Sequence, residues 1–166
     1  MSFKTGDRVV YPHHGAATIE KTEMVEFGGK ETEYFVLRTA HDDLTVRVPV
    51  EKVDEVGMRP PISTTDVKDL FSLLSKKDVR EPANWSRRFK NHQEKLKSGD
   101  VYQVAEVVRN LALREKSKGL SAGEKNMYTK ARKVLVSELS FALDVSEEIA
   151  LDQVEVSLEA DEVEEA

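Results

Sequence analysis

Pro60 and Pro61 stand side by side at the point where the pattern of apolar residues changes. Two adjacent prolines bar a helix from running through them and stiffen the connection. Gly57, just upstream, adds a further break. The 166 residues are therefore divided here, whatever each part folds into. That length is enough for two small domains and a real core.

Ahead of the prolines the chain reads as β. Arg8-Val9-Val10-Tyr11 precedes the turn Pro12-His13-His14-Gly15, and Ala16 to Phe27 alternates loosely up to Gly28-Gly29. Glu33 to Thr39 and Leu44 to Val48 follow, parted by the polar turn His41-Asp42-Asp43, and Glu51 to Val56 adds a short strand or turn. Short strands and tight turns in this little space predict a small barrel, closed to protect its edges.

Beyond the prolines the period changes to that of helices. Ser63-Thr64-Thr65-Asp66 has capping-box spacing ahead of Val67, Leu70, Phe71 and Leu74. Asn84 can cap a helix carrying Trp85, Phe89 and Leu96, and Asp100 the next, with Val101, Val104, Val108 and Leu111 inward. Gly119 stops that helix, and Ser121-Ala122-Gly123-Glu124 opens another with Met127, Ala131, Leu135 and Leu139. Caps and stripes of this kind predict four helices in a compact bundle. After Leu143 the chain carries carboxylates and no local cation to pair them, which predicts a weak helix near Ile149 to Leu158 or, more in keeping with the composition, a disordered end.

Charge follows the same division. The formal total of −6 argues against nucleic acid as a partner. Yet residues 1–60 carry a net −3, residues 61–143 a net +7 and residues 144–166 a net −10. Between Trp85 and Lys133 there are 13 Lys and Arg against 5 Asp and Glu, so a basic helical part is compatible with phosphate contact. Cys is absent, which excludes disulfides and Cys nucleophiles. No apolar run exceeds about four residues, so nothing spans a membrane, and the start MSFKTGDRVV lacks the apolar stretch of a signal peptide. A soluble intracellular protein is expected.

Little suggests catalysis. His13-His14 sits in a Pro/Gly turn without further ligands at metal spacing, and Gly28-Gly29 is a hairpin turn rather than a phosphate loop. No catalytic residue, metal, cofactor or small-molecule substrate is expected. Two stretches have more to offer. In Leu44-Thr45-Val46-Arg47-Val48-Pro49, Thr45 and Arg47 face away from the apolar side, and Pro49 suits a sheet edge. This is either an ordinary outer strand or one that pairs with a partner protein. In Asn84-Trp85-Ser86-Arg87-Arg88-Phe89-Lys90, Trp85 is either core or an aromatic projecting between cations, where it can wedge a base step. Its indole N–H would then be free to donate to a groove acceptor. Arg114, Lys125 and Lys130 lie off the apolar stripes and extend the basic surface.

Phe3-Lys4-Thr5-Gly6-Asp7, Val9 to Gly15, Leu44 to Pro49, Asn84 to Arg88 and Gly119 to Lys125, taken in this order, closely resemble the actinobacterial-type CarD transcription regulators. The resemblance runs over residues 3–143. It implies an α+β, two-domain fold: a Tudor/SH3-like barrel over residues 1–58, a linker at 59–63 and a helical DNA-binding domain over 64–143; the acidic tail at 144–166 lies outside the resemblance. The barrel would be similar to the polymerase-binding domain of the transcription-repair coupling factor. It would bind the β subunit of RNA polymerase, with Leu44, Thr45, Val46, Arg47 and Val48 falling on the contact. Trp85 would fall on the family's minor-groove wedge, with Arg87, Arg88, Lys90, Arg114, Lys125 and Lys130 as surrounding DNA-binding cations. Promoter DNA would be met at the upstream edge of the bubble, largely without sequence readout, by a cytoplasmic monomer. Relatives can carry a basic residue where this chain has Met24-Val25-Glu26, which shifts weight onto Arg47. A free-standing nonspecific DNA-binding protein and a protein–protein adaptor remain the alternatives.

Overall fold

A computed structural model describes residues 2–12, 14–40 and 43–160. The chain forms two compact units, Met1–Pro61 and Ile62–Ala166.

In the first unit four strands, β1 (Arg8–Tyr11), β2 (Gly15–Phe27), β3 (Lys30–Thr39) and β4 (Thr45–Pro49), form one antiparallel sheet in the order β1-β2-β3-β4. Gly28 and Gly29, with φ of +61° and +81°, make the two-residue turn between β2 and β3. Positive φ at both central positions gives the turn a twist that matches the strands. A register shift between Ile19 and Lys21 helps curl the sheet around Val9, Ala17, Ile19, Phe35, Leu37 and Val48. The result is a half-barrel rather than the closed barrel expected. One edge is covered by the chain itself: Val10 and Arg59 exchange backbone hydrogen bonds of 2.7 and 3.2 Å. The other edge, β4, has β3 on one side and no described strand on the other. Residues Val50–Lys52 form a single 3-10 turn, not a fifth strand.

The second unit is helical: α1 (Thr64–Ser75), α2 (Trp85–Lys97), α3 (Val101–Ser117), α4 (Ala122–Leu143) and α5 (Glu147–Glu159). Its core includes Leu70, Leu74, Val104, Val108, Leu111, Leu135 and Leu139. Helix α3 packs on α1, α2 and α4. Asn84, Asp100 and Ser121 cap as their positions predict, and Ser121 with Glu124 closes a full capping box. Ser63 does not. Its hydroxyl donates to the Asp66 carboxylate at 3.0 Å and makes no side-chain cap, while the Asp66 amide donates to the Ser63 carbonyl at 3.1 Å.

The acidic end calls for a correction up to residue 160. Glu147–Glu159 is a three-turn helix, and Ala150, Val154 and Leu158 are buried in the same core as α1 and α4. Spaced four apart, they form one narrow apolar seam, enough to dock a helix that carries five carboxylates elsewhere. The missing cations come from elsewhere in the unit. Lys116 pairs with Glu159 at 2.7 Å, Arg132 with Glu155 at 3.7 Å, and Lys77 donates to the Leu158 carbonyl.

Candidate nucleic-acid interface

Trp85 is the first residue of α2, and the Asn84 side chain accepts from the Arg87 amide at 3.0 Å to fix that first turn. The indole is 44% exposed, so it is not core. It is not loose either. Phe89, one turn on, stacks on it with ring centroids 4.8 Å apart and planes 13° off parallel. Both rings lie over the first turn of α4, where a Cβ on Gly123 would sit 3.6 Å from Phe89 and 3.8 Å from Trp85. The indole N–H is 3.2 Å from both the Ser121 hydroxyl and Glu124 Oε1, and donates to them. The expectation of an N–H free for a groove acceptor is therefore corrected: the side chain offers its ring, not its donor.

Glu124 is 2% exposed and organises this corner. Its Oε1 accepts from the Ser121 amide at 3.3 Å and hydroxyl at 3.0 Å, while its amide donates back to Ser121 Oγ at 3.2 Å. Its Oε2 lies 3.4 Å from Arg88 Nε and 3.7 Å from Arg114 Nε. Burial works to raise the Glu124 pKa, but the Ser121 hydrogen bonds and the Arg88 charge outweigh it and hold the carboxyl below 4.5.

These contacts sort the cations. Arg88 is 2% exposed, and besides Glu124 it reaches the carbonyls of Pro82 and Ala83 at 3.4 and 3.3 Å. Its assignment as a DNA contact is corrected: the guanidinium is buried and taken up inside the unit. Arg114 is turned partly inward, its side chain 25% exposed. Arg87, Lys90, Lys125 and Lys130 are exposed. Arg87 and Lys90, three apart, share a face of α2, and Lys125 follows Glu124 in the first turn of α4. Lys130, five residues further, sits about 140° round the helix from Lys125 and does not share its face.

The sequence reading missed four contributors. Phe89 stood there only as core, Ser121 and Glu124 only as a cap, and Glu81 was not singled out. The Glu81 carboxylate is 2.6 Å from Nε2 of the buried His92, tying the segment before α2 to the helix. Burial pushes the Glu81 pKa up, but the His92 contact, Asn110 and Arg88 bring it below 4.5.

In the first unit, Leu44 just ahead of β4 is exposed, and β4 exposes Thr45 and Arg47, half-buries Val46 and buries Val48, which can lend a partner only its backbone. Arg47 Nε lies 3.1 Å from Glu23 on β2. Of the turn His13-His14, His14 packs at 5.1 Å on Tyr11, and His13 lies outside the described residues. Among the described residues no group of His, Asp or Glu is arranged to hold a metal, and no helix is long and apolar enough to cross a membrane.

Residues 3–62 match the CarD-like/TRCF RID domain, and residues 69–155 match the CarD C-terminal domain. The chain belongs to the CarD family. A relative, YdeB of Bacillus subtilis (strain 168), a candidate transcription factor by name, is 34% identical over 145 residues, covering 87% of this chain and 95% of its own length. Both units of the CarD architecture are thus present in one chain, the half-barrel first and the helices second.

Proposed function

We propose that this CarD-family protein regulates transcription initiation by binding the β subunit of RNA polymerase through the open edge of β4 and promoter DNA through the Trp85 corner. The observation that carries this reading is an aromatic ring left 44% exposed at the start of α2, in a helical unit that also exposes the cations Arg87, Lys90 and Lys125. That combination suits a wedge at a base step, with cations of the same unit available to phosphates.

The physics favours one direction of effect. Promoter opening is close to balance, and a factor that binds the open form better shifts it by its differential affinity. Docking the half-barrel on polymerase raises the effective concentration of the helical unit at the DNA, so weak intrinsic binding suffices. At the upstream edge of the bubble the bases are already distorted, so the ring meets less than the usual unstacking cost of about a few kcal/mol. The open complex is stabilised where opening limits initiation, and escape is slowed where escape limits. The protein acts as a monomer in the cytoplasm, on the nucleoid through polymerase.

The test is the lifetime of the open complex with polymerase, with and without Trp85→Ala. The substitution should keep capture of polymerase and helical content while losing the lifetime increase. Tight binding of the protein to plain duplex without polymerase would instead favour a free-standing DNA-binding protein.

A further inference from the structure

We propose that Glu124 is the positioning residue for Trp85: from the core of the helical unit it fixes the angle at which the ring is presented. This rests on the reading of Trp85 as the DNA contact and adds to it a residue on a different helix.

A tryptophan on the first turn of a helix has two rotatable bonds and, left free, would lose that freedom on meeting DNA. Here it is ordered in advance. Both acceptors of its N–H answer to one carboxylate: Glu124 Oε1 directly, and Ser121 Oγ through its own 3.0 Å bond to the same oxygen. The opposite oxygen faces Arg88 and Arg114, so the carboxylate cannot swing out without leaving a buried guanidinium unpaired. A capping box alone would be served by Gln as well as Glu; the two arginines are what require an anion. With the donor edge of the indole occupied, the outer part of the ring is what remains to meet DNA. Such a contact reads stacking and deformability rather than base hydrogen bonding.

The chain contains a single Trp, so its fluorescence reports this side chain alone. The variant of choice is Arg88→Met with Glu124→Met, because replacing both members of a buried pair by apolar residues of similar volume commonly preserves the fold. It should keep helical content by circular dichroism, raise acrylamide quenching of Trp85, and shorten the open complex roughly tenfold, the size expected for a lost hydrogen bond. Unchanged quenching would overturn the proposal. So would a wild-type open-complex lifetime in the double variant while Trp85→Ala shortens it. If Trp85→Ala itself has no effect, the DNA reading fails, and this inference fails with it. Exchange of the indole N–H with solvent, followed by NMR on the wild-type protein, needs no variant at all. Protection of about tenfold supports the bond to Glu124, and exchange as fast as in the unfolded chain refutes it.

Discussion

Arg88 and Glu124, 36 residues apart in sequence, meet as an enclosed ion pair with Nε 3.4 Å from Oε2 and both side chains no more than 3% exposed. The pair joins the start of α2 to the start of α4, because Arg88 also bonds the carbonyls ahead of its helix and Glu124 bonds its own cap.

Removing one member strands the other charge in the core. Arg88→Ala should lower stability by about 3–5 kcal/mol, read from urea denaturation. Its neighbour Arg87 is exposed, and Arg87→Ala should stay within about 0.5 kcal/mol of wild type. Equal losses at the two positions would contradict the burial of Arg88.

Acid should act on the same contacts. Glu124 and Glu81 are held below the ordinary value of 4.5. The unfolded chain therefore takes up protons at these sites at a higher pH than the folded one does. The stability they contribute is complete above 4.5 and drains away as the pH falls through their lower folded values. Denaturation midpoints followed downward from pH 6 should hold, then drop. Glu124→Gln should flatten part of that drop.

Binding of forked promoter DNA should weaken with salt, each phosphate contact adding about one unit to the slope of log K against log salt. Arg87→Ala and Lys125→Ala should each reduce the slope by about one. Arg88→Met, from inside the unit, should leave it unchanged even if the protein is less stable.

On the half-barrel, Arg47→Glu places a second carboxylate near Glu23, 3.1 Å from the present guanidinium. Capture of the polymerase β subunit should fall about tenfold, or ~1.4 kcal/mol, with the fold intact. Undiminished capture would remove β4 from the contact.

Docking of α5 can be probed at Val154, which is fully buried between carboxylate-bearing turns. Val154→Asp should cost about 3 kcal/mol or more by burying a charge. Val156→Asp, two residues on at a site 69% exposed, should cost almost nothing. A loose tail would tolerate both.

Features set by local chemistry were legible in the chain. Gly28-Gly29 marked a hairpin, and Asn84, Asp100 and Ser121 marked helix starts, because each acts on backbone within three residues. The two matched family domains likewise fell where the sequence motifs stood. Features that depend on distant partners were not legible. Arg87 and Arg88 are chemically alike and adjacent; only the fold turns the second inward, since helical rotation carries it about 100° round. The N–H of Trp85 looked free because its acceptors lie 36 and 39 residues away. Helix α5 looked disordered because its counter-charges, Lys116 and Arg132, sit on α3 and α4.

The same helix has a consequence for the proposed approach to DNA. Helix α2 carries five cations and one carboxylate, and α5 carries five carboxylates and no cation. They are fastened to different partners, α2 on α3 and α5 on α1 and α4. Formal charge in the helical unit is thus uneven, positive along α2 and negative along α5. If the unit meets DNA as proposed, approaches that lead with α5 would be the less favourable ones. Under the proposed function, orientation would then be biased during the encounter and not only by the final contacts.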